Sequence, residues 1–281
     1  MSSWTEARAA ALPSGLPAGV AALPILRLRD GRVAEEDDDL AVEEPLEIVI
    51  DHATYAVTMR LPGDDAALVA GFCLSEGIIA RAADIAAIEA CPTDPGRIHL
   101  RTAAAPDRPG AGRARRGFLS KSSCGLCGKE KLADIHADIR PVAGWTPMQA
   151  DEVLARKADF EARKLVFPRT GSTHSAALYA RNGQCLGFAE DVGRHNALDK
   201  AVGQALLAGA LGAAHLALVS SRLSFEMVQK AAAAGLEILA GVSAATTLAA
   251  LFAEQWNVTL VGFLRRGRMN VYARPGRILF S

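Results

Sequence analysis

The stretch that decides the fold is H-L-A-L-V-S-S-R-L-S-F-E-M-V-Q-K-A-A-A-A-G-L-E-I-L-A-G-V, residues 215–242. It begins with an apolar run over 215–221 that predicts a buried strand. A helical pattern follows over 225–235, and a second apolar run closes the stretch. Farther along, residues 246–256 predict a helix and residues 258–263 a strand. Strands that alternate with helices indicate an α/β layered architecture.

The segment before this stretch continues the alternation. Asn182-Gly183 between two apolar runs is a strong hairpin signal, and it predicts paired strands over 175–181 and 184–190. A final strand is expected over 269–272. The sequence therefore predicts one sheet with helices packed against it.

Two further helices are expected in this half. Residues 147–163 predict a helix capped by Thr146 with Pro147 in its first turn. A second helix begins at about Asn196. The apolar run 201–220 approaches the length of a membrane span, but it contains glutamine, histidine and three glycines. We expect a buried helix followed by a strand there, and no membrane as partner.

The N-terminal half predicts a smaller, β-rich unit. Residues 46–61 alternate apolar and polar side chains around Asp51-His52, which predicts a β-hairpin. A helix over 64–77 and strands over 85–88 and 97–102 follow this hairpin. The eight carboxylates of residues 35–47 predict a solvated acidic loop.

Composition excludes several classes of protein. The chain has 281 residues, half of them apolar, which allows a sizeable core. Its formal net charge is zero, so nucleic acid is not expected as a partner. The N-terminus has no signal-peptide pattern, so we expect a cytoplasmic protein. An odd count of five cysteines then indicates reduced thiols, and we expect Cys73, Cys91 and Cys185 to be inert.

A cysteine pair stands in K-S-S-C-G-L-C-G-K-E-K-L, residues 121–132. Cys124 and Cys127 follow a segment, 103–123, that is rich in glycine, proline and arginine and predicts a mobile loop. Such a pair suits a zinc site, a redox pair or a sulfur carrier. A zinc site needs four ligands, and a second pair is missing. Neighbouring cations lower a thiol pKa, which favours a reactive thiol that carries sulfur as a persulfide.

Five segments together resemble one known family, that of FdhD, the accessory sulfurtransferase of formate dehydrogenase. The similarity runs from about residue 30 to the C-terminus. The segments are C-G-L-C-G-K at 124–129, T-H-S-A-A-L at 173–178, E-D-V-G-R-H-N-A-L-D-K at 190–200, S-S-R-L-S-F-E-M at 220–227 and V-G-F-L-R-R-G-R-M-N-V-Y at 261–272.

The resemblance implies a function. A cysteine desulfurase loads sulfur onto the pair, with Cys124 as the persulfide carrier and Cys127 as the second cysteine. The acceptor is the molybdenum cofactor in its bis(molybdopterin guanine dinucleotide) form, which is then inserted into formate dehydrogenase. The family functions as a homodimer, and no metal is expected as a requirement of the protein itself. The family's cofactor-binding segment matches Phe263, Leu264, Arg265, Arg266, Gly267 and Arg268.

The resemblance also implies a fold, since the family's C-terminal part is similar to cytidine deaminases. Deaminases hold zinc with H-x-E and P-C-x-x-C segments. We place His195-Asn196-Ala197 and residues 220–224 at those positions, so that only His195 is left as a potential ligand and deamination is excluded. His195 is then free to contact the cofactor. Asp191 is a candidate acceptor for guanine, and Ser221 a candidate contact for phosphate at a helix start.

The expected organisation has four parts. A loose tail (1–22) precedes a small β-rich domain (23–102), a linker with the cysteine pair (103–145) and a cytidine-deaminase-like three-layer α/β domain (146–281). Two other functions stay open. A non-catalytic scaffold delivers the cofactor or binds zinc and never carries sulfur covalently. A thiol–disulfide oxidoreductase cycles a disulfide between Cys124 and Cys127.

Overall fold

The structure, a computed structural model, describes residues 16–103 and 139–280 and has a mixed α/β fold. The strands are β1 Val20–Arg29, β2 Arg32–Ala41, β3 Glu44–Ile50, β4 Ala53–Arg60, β5 Ile85–Cys91, β6 Asp94–Thr102, β7 Met148–Gln149, β8 His174–Ala180, β9 Cys185–Asp191, β10 Ala214–Val219, β11 Ile238–Gly241, β12 Thr259–Arg265, β13 Arg268–Ala273 and β14 Ile278–Leu279. The helices are α1 Asp65–Ser75, α2 Ala150–Ala162, α3 Phe167–Thr170, α4 Arg194–Leu207, α5 Phe225–Ala233 and α6 Thr247–Gln255. Within the described ranges, every helix is too short or too polar to cross a lipid bilayer.

The largest sheet has six strands in the order β13-β12-β11-β10-β8-β9. Strands β10, β11 and β12 run parallel, whereas β13 and the β8–β9 hairpin are antiparallel to their neighbours. The predicted strand–helix–strand unit over 215–242 is confirmed as β10, α5 and β11. Leu216, Ala217 and Leu218 are almost completely buried, as expected for a central strand covered on both faces.

A second sheet has the order β4-β3-β6-β5. The predicted hairpin is confirmed as β3 and β4, and Asp51 and His52 at its turn both adopt positive φ angles of 46° and 72°. The Asp51 carboxylate accepts hydrogen bonds from the backbone N–H (2.8 Å) and hydroxyl (2.7 Å) of Thr102. These bonds fix the turn against the end of β6.

The prediction of an acidic loop was wrong. Residues 32–41 form β2, which pairs with β1 in a two-stranded antiparallel ribbon. Arg27 on β1 lies 3.1 Å from Glu36 and 2.9 Å from Asp38. Asp39 lies 2.6 Å from Arg169 in α3. Cross-strand ion pairs therefore offset the repulsion among the carboxylates. The ribbon begins at Val20, inside the segment predicted to be a loose tail.

The predicted start of the 147–163 helix was also wrong. Residues Met148–Gln149 pair in parallel with Ile278–Leu279 instead of entering the helix. Gln149 is the residue that caps α2, and its backbone N–H donates to the Glu152 carboxylate (3.0 Å). The backbone N–H of Thr146 donates to Glu237 (2.6 Å), so Thr146 lies ahead of β7 and does not cap the helix.

Helices α1 and α4 approach each other at two glycines. A Cβ added at Gly71 would overlap the backbone carbonyl of Asp199, and one added at Gly203 would overlap that of Ala67. The two backbones are therefore in direct contact. One hydrophobic core joins residues of both sheets around this contact, including Leu46, Ile48, Leu68, Leu178, Leu198 and Leu239. The domain boundaries drawn from the sequence stay a prediction.

Two buried ion pairs reinforce the position of α4. Asp199 pairs with Lys230 of α5 (2.7 Å) and accepts a hydrogen bond from Ser75 of α1 (2.9 Å). Lys200 pairs with Asp191 at the end of β9 (2.8 Å) and donates to the carbonyl of Leu61 (2.7 Å). Each charge has an oppositely charged partner, which buried charges require.

We expect Gly203→Ala to lower the free energy of unfolding by at least about 1 kcal/mol, because the methyl group must displace the backbone of α1. Chemical denaturation followed by circular dichroism measures this change. Gly212→Ala is the matched control, since its Cβ meets open space. Equal stability of the two variants would contradict the direct backbone contact.

Candidate functional site

A cavity of about 560 Å³ lies at the carboxyl ends of the parallel strands. Ser220 follows β10, Val242 follows β11, and residues 264–266 end β12, and all of them line the cavity. Ligand sites in open α/β sheets lie characteristically outside the carboxyl ends of the strands. Topology therefore places the cavity where polar side chains of several loops converge.

Helices α2 and α3 form a second wall of the cavity. Lys157 and Glu161 lie one turn apart on α2, and Lys164 follows in the loop just after the end of that helix. The Glu161 carboxylate is 3.3 Å from Lys157 Nζ and 2.7 Å from Lys164 Nζ. Burial works to raise the pKa of Glu161, but the hydrogen bond from Lys164 and both positive charges lower it overall. Lys164 Nζ also lies 5.2 Å from the ring of Phe167.

The lining is predominantly cationic. Its charged lining residues are four cations, Lys157, Lys164, Arg265 and Arg266, and one carboxylate, that of Glu161. Guanidinium and ammonium groups bind phosphate and carboxylate oxygens through charge-assisted hydrogen bonds. The cavity is therefore suited to an anionic ligand.

The segment F-L-R-R-G-R makes an irregular strand end. Phe263 has a left-handed φ of 49°, and the pairing of β12 with β13 shifts register between Gly262 and Arg265. The backbone N–H of Phe263 donates to the carbonyl of Ser243 (3.0 Å). This bulge buries Leu264 to 1 % exposure and directs the following arginines to the cavity. A strained non-glycine residue at such a place is typical of a functional site.

The half-buried carboxylate of Glu190 fixes a further wall of the cavity. Glu190 accepts hydrogen bonds from three successive backbone N–H groups, those of Leu165 (2.7 Å), Val166 (2.8 Å) and Phe167 (2.8 Å). It also accepts one from the hydroxyl of Thr173 (3.1 Å). Successive N–H groups of this kind form a concave binding site for an anion. Glu190 thus holds together two segments that line the cavity.

The structure brings only part of the predicted cofactor site together. Of the predicted residues, Leu264, Arg265 and Arg266 line the cavity, and the others lie outside its lining. Gly267, with a φ of 67°, forms the turn between β12 and β13. The ring of Phe263 lies outside the cavity lining, with its centroid 5.8 Å from the guanidinium carbon of Arg265. Arg268 begins β13.

Asp191 lies in the core and is completely buried. Its carboxylate accepts hydrogen bonds from the backbone N–H groups of Leu61 (3.1 Å) and Gly193 (2.9 Å), from the Asn196 amide (3.1 Å) and from Lys200. This geometry gives Asp191 a structural role and leaves its carboxylate little capacity to accept from guanine. The predicted contact of Asp191 with guanine stays a prediction.

His195 and Ser221 lie near the start of α4 and before α5. His195 Nε2 is 3.4 Å from the Glu226 carboxylate, and this nearby imidazole lowers the pKa of Glu226 to about 2. Glu226 also accepts a hydrogen bond from Ser224 (3.0 Å). The Ser221 hydroxyl donates to the carbonyl of Arg222 (3.0 Å). Contact of His195 and Ser221 with a cofactor therefore stays a prediction.

The predicted sulfur carriers, Cys124 and Cys127, lie outside the described residues. Among the cysteines that are described, burial raises the pKa of the Cys73 and Cys185 thiols, which agrees with an inert role. Cys91 differs, because its hydrogen bond with Thr93 lowers its pKa. Within the described ranges, no three side chains of the metal-binding types lie together.

Sequence reasoning missed Lys157, Glu161, Lys164 and Glu190. Lys157 and Glu161 carried a signal, because a cation and a carboxylate four residues apart lie on one helix face, whereas Lys164 lies beyond the end of α2. Glu190 carried none, since the backbone N–H groups that donate to it lie more than twenty residues away in the chain.

We expect Glu190→Gln to accelerate amide hydrogen exchange at Leu165, Val166 and Phe167 by about tenfold or more, because an amide offers one acceptor oxygen and no charge. Exchange measured by mass spectrometry after proteolysis reports this segment separately. Glu254→Gln, on α6, is the control and leaves 165–167 unchanged. Unchanged protection in Glu190→Gln would contradict the anchoring role.

Comparison with known proteins assigns the chain to a family. The model of the FdhD/NarQ family matches residues 41–279. The sulfur carrier protein FdhD of Streptomyces avermitilis is 44 % identical over 269 residues, which cover 90 % of this chain and 94 % of the relative. That of Anaeromyxobacter dehalogenans (strain 2CP-C) is 42 % identical over 290 residues, 98 % of each chain.

A solved structure agrees with these relatives. A crystal structure described as that of a formate dehydrogenase accessory protein from Desulfotalea psychrophila superposes on this chain with a TM-score of 0.76. It is 27 % identical and matches 93 % of this chain and 100 % of its own. Because the family model covers most of the chain and relatives above 40 % identity span nearly all of it, this protein belongs to the FdhD/NarQ family.

Proposed function

We propose that this protein is a sulfur carrier that takes sulfur as a persulfide on Cys124 and transfers it to the molybdenum cofactor. The observation that carries the proposal is the cationic cavity at the strand ends, in a chain whose relatives are named sulfur carrier proteins. The donor is a cysteine desulfurase, and the sulfurated cofactor goes to a formate dehydrogenase. The protein acts in the cytoplasm as a homodimer.

The cavity suits the nucleotide part of this substrate. Its volume of about 560 Å³ lies within the usual range for small-molecule sites and accommodates one guanine dinucleotide arm of the bis-form. Arg265 and Arg266 supply planar donors for a pyrophosphate, and Lys157 and Lys164 supply compact positive charges on the opposite wall. The cavity residues bind and orient the substrate, whereas the cysteine pair supplies the sulfur.

The cysteine chemistry balances without an external oxidant in the loading step. The Cys124 thiolate attacks the outer sulfur of a donor persulfide, a new S–S bond forms, and the donor leaves as a thiolate. Lys121, Lys129 and Lys131 flank the pair in sequence and favour the thiolate form. Attack of Cys127 on the Cys124 sulfur would release hydrosulfide and leave a disulfide that needs reduction by a thiol.

We also infer that the six-stranded sheet and its helices have the arrangement of cytidine deaminases. The order of an antiparallel hairpin followed by parallel strands supports this inference. So does the position of His195 at the start of α4, with residues 220–224 at the entry to α5. Ala197 is completely buried where a deaminase carries its catalytic glutamate, so the arrangement would serve binding of another nucleotide.

We expect the wild-type protein to gain the mass of one or more sulfur atoms after incubation with a cysteine desulfurase and free cysteine. Cys124→Ala abolishes the gain, because it removes the attacking thiolate, and reductant reverses it in the wild type. Intact-mass spectrometry measures both effects. Cys91→Ala is the control and retains the gain.

Three other outcomes would contradict the carrier function. No gain in the wild type with an active desulfurase would favour a scaffold that only delivers the cofactor. Co-purifying zinc that depends on both cysteines would favour a metal-binding scaffold. A disulfide between Cys124 and Cys127 that cycles without sulfur loading would favour an oxidoreductase.

We expect Arg265→Gln to weaken binding of GDP, a probe for the nucleotide arm, by roughly tenfold, since a charge-assisted hydrogen bond contributes about 1.5–3 kcal/mol. Titration calorimetry at two salt concentrations also shows a smaller salt dependence in this variant. Arg101→Gln is the control, because Arg101 pairs with Glu89 on an exposed strand outside the cavity lining. Equal affinities in all three proteins would exclude the cavity as the binding site.

A further inference from the structure

Ser220 occupies a restrained position in the cavity wall. Its backbone N–H donates to the carbonyl of Ser175 (3.0 Å), and the Ser175 N–H donates in return to the Ser220 hydroxyl oxygen (2.9 Å). Nδ1 of His174 lies 3.3 Å from the same hydroxyl oxygen. The serine hydroxyl therefore stands between a backbone donor and an imidazole nitrogen.

Among the described residues, the hydroxyl hydrogen has one candidate acceptor. A serine hydroxyl has one hydrogen to donate and lone pairs to accept with. The Ser175 N–H occupies a lone pair, and within residues 16–103 and 139–280 no other acceptor lies in hydrogen-bond distance of Ser220 Oγ. Its hydrogen is then directed at Nδ1 of His174, which accepts it only when it carries no proton of its own.

The surroundings of His174 favour the neutral imidazole. The ring is partly buried, and this burial lowers its pKa below the usual value. Arg194, His195 and Arg222 add to the effect, and Asp191 opposes it. A neutral ring with an unprotonated Nδ1 carries its single proton on Nε2.

We propose that His174 is a ligand-contact residue that presents a neutral Nε2–H donor to the cavity, and that Ser220 is a positioning residue that sets this tautomer. Nε2 has no hydrogen-bond partner in the described part of the chain, and the side chain lines the cavity together with Arg265 and Arg266. The ligand is an anionic oxygen of the nucleotide arm, so this part of the inference rests on the proposed function.

The Nε2–H group of His174 would add a directional hydrogen bond to a cavity whose other donors act mainly through charge. Lysine and arginine attract an anion from many orientations, whereas a single N–H in a restrained ring fixes one oxygen in one place. Because the imidazole is neutral, it adds no further positive charge to be balanced when the cavity is empty. His174 would therefore orient the substrate more than it would attract it.

The tautomer is tested by NMR on the full chain labelled with ¹⁵N-histidine. The protein has six histidines, and the spectrum of His174→Gln assigns the resonance of His174. We expect the Nε2–H tautomer in the wild type at pH 7.5 and in Ser175→Ala, whose removed hydroxyl has no partner among the described residues. Ser220→Ala shifts the population toward Nδ1–H. A charged ring or an Nδ1–H ring in the wild type, or no change in Ser220→Ala, would overturn the assignment.

The contact is tested by GDP titration of two variants. Glutamine places an N–H close to the position of Nε2, so His174→Gln binds within about threefold of the wild type. His174→Leu lacks any donor and binds roughly tenfold more weakly. Thermal melts confirm that both variants are folded. Equal affinity of His174→Leu and wild type, or equal loss in both variants, would overturn the contact.

The two proposals fail in different ways. Absence of GDP binding to the wild type would remove the proposed cavity ligand together with the contact. The NMR result would still decide whether Ser220 sets the tautomer of His174. Binding that is intact but indifferent to position 174 would leave the proposed function standing and reject the role of His174.

Discussion

The direct backbone contact between α1 and α4 is the constraint on which the rest of the structure depends. It exists because Gly71 and Gly203 have no side chains, and it brings Asp199 within reach of Ser75 and Lys230. Three helices therefore meet at one buried carboxylate. Loss of one partner of such a pair typically costs about 3–5 kcal/mol. Through this junction the N-terminal sheet is joined to the strands whose ends form the cavity.

The cavity combines two kinds of electrostatic arrangement. Charged groups on and just after α2 and at the end of β12 supply a positive field for an anion. Restrained groups define its shape, since Glu190 holds the 165–167 segment by its backbone and Ser220 is tied to β8 by two hydrogen bonds. The irregular backbone at Phe263 connects the restrained part of the wall to the arginines, because it directs Leu264 into the core.

Local patterns predicted the parts of this fold that depend on neighbours in sequence. The apolar runs within 215–242 and the Asn182-Gly183 turn were confirmed, and family motifs located the cavity arginines. Pairing between distant segments was not predictable. The carboxylates of β2 form a strand because Arg27 and Arg169 lie opposite them. Asp191 was predicted as a ligand because it is polar and beside a turn, and the sequence did not reveal that the backbone N–H of the distant Leu61 donates to its carboxylate.

The Glu161 carboxylate acts as an internal counter-ion, since it lies 3.3 Å from Lys157 Nζ and 2.7 Å from Lys164 Nζ. An incoming anion must compete with Glu161 for both lysines. Part of the binding free energy is therefore offset by the loss of these two ion pairs. Dissociation of the anion becomes easier for the same reason, because both lysines can pair again with Glu161. For the ligand proposed above, a site built in this way would shorten the residence time, as transfer of that ligand to an acceptor requires.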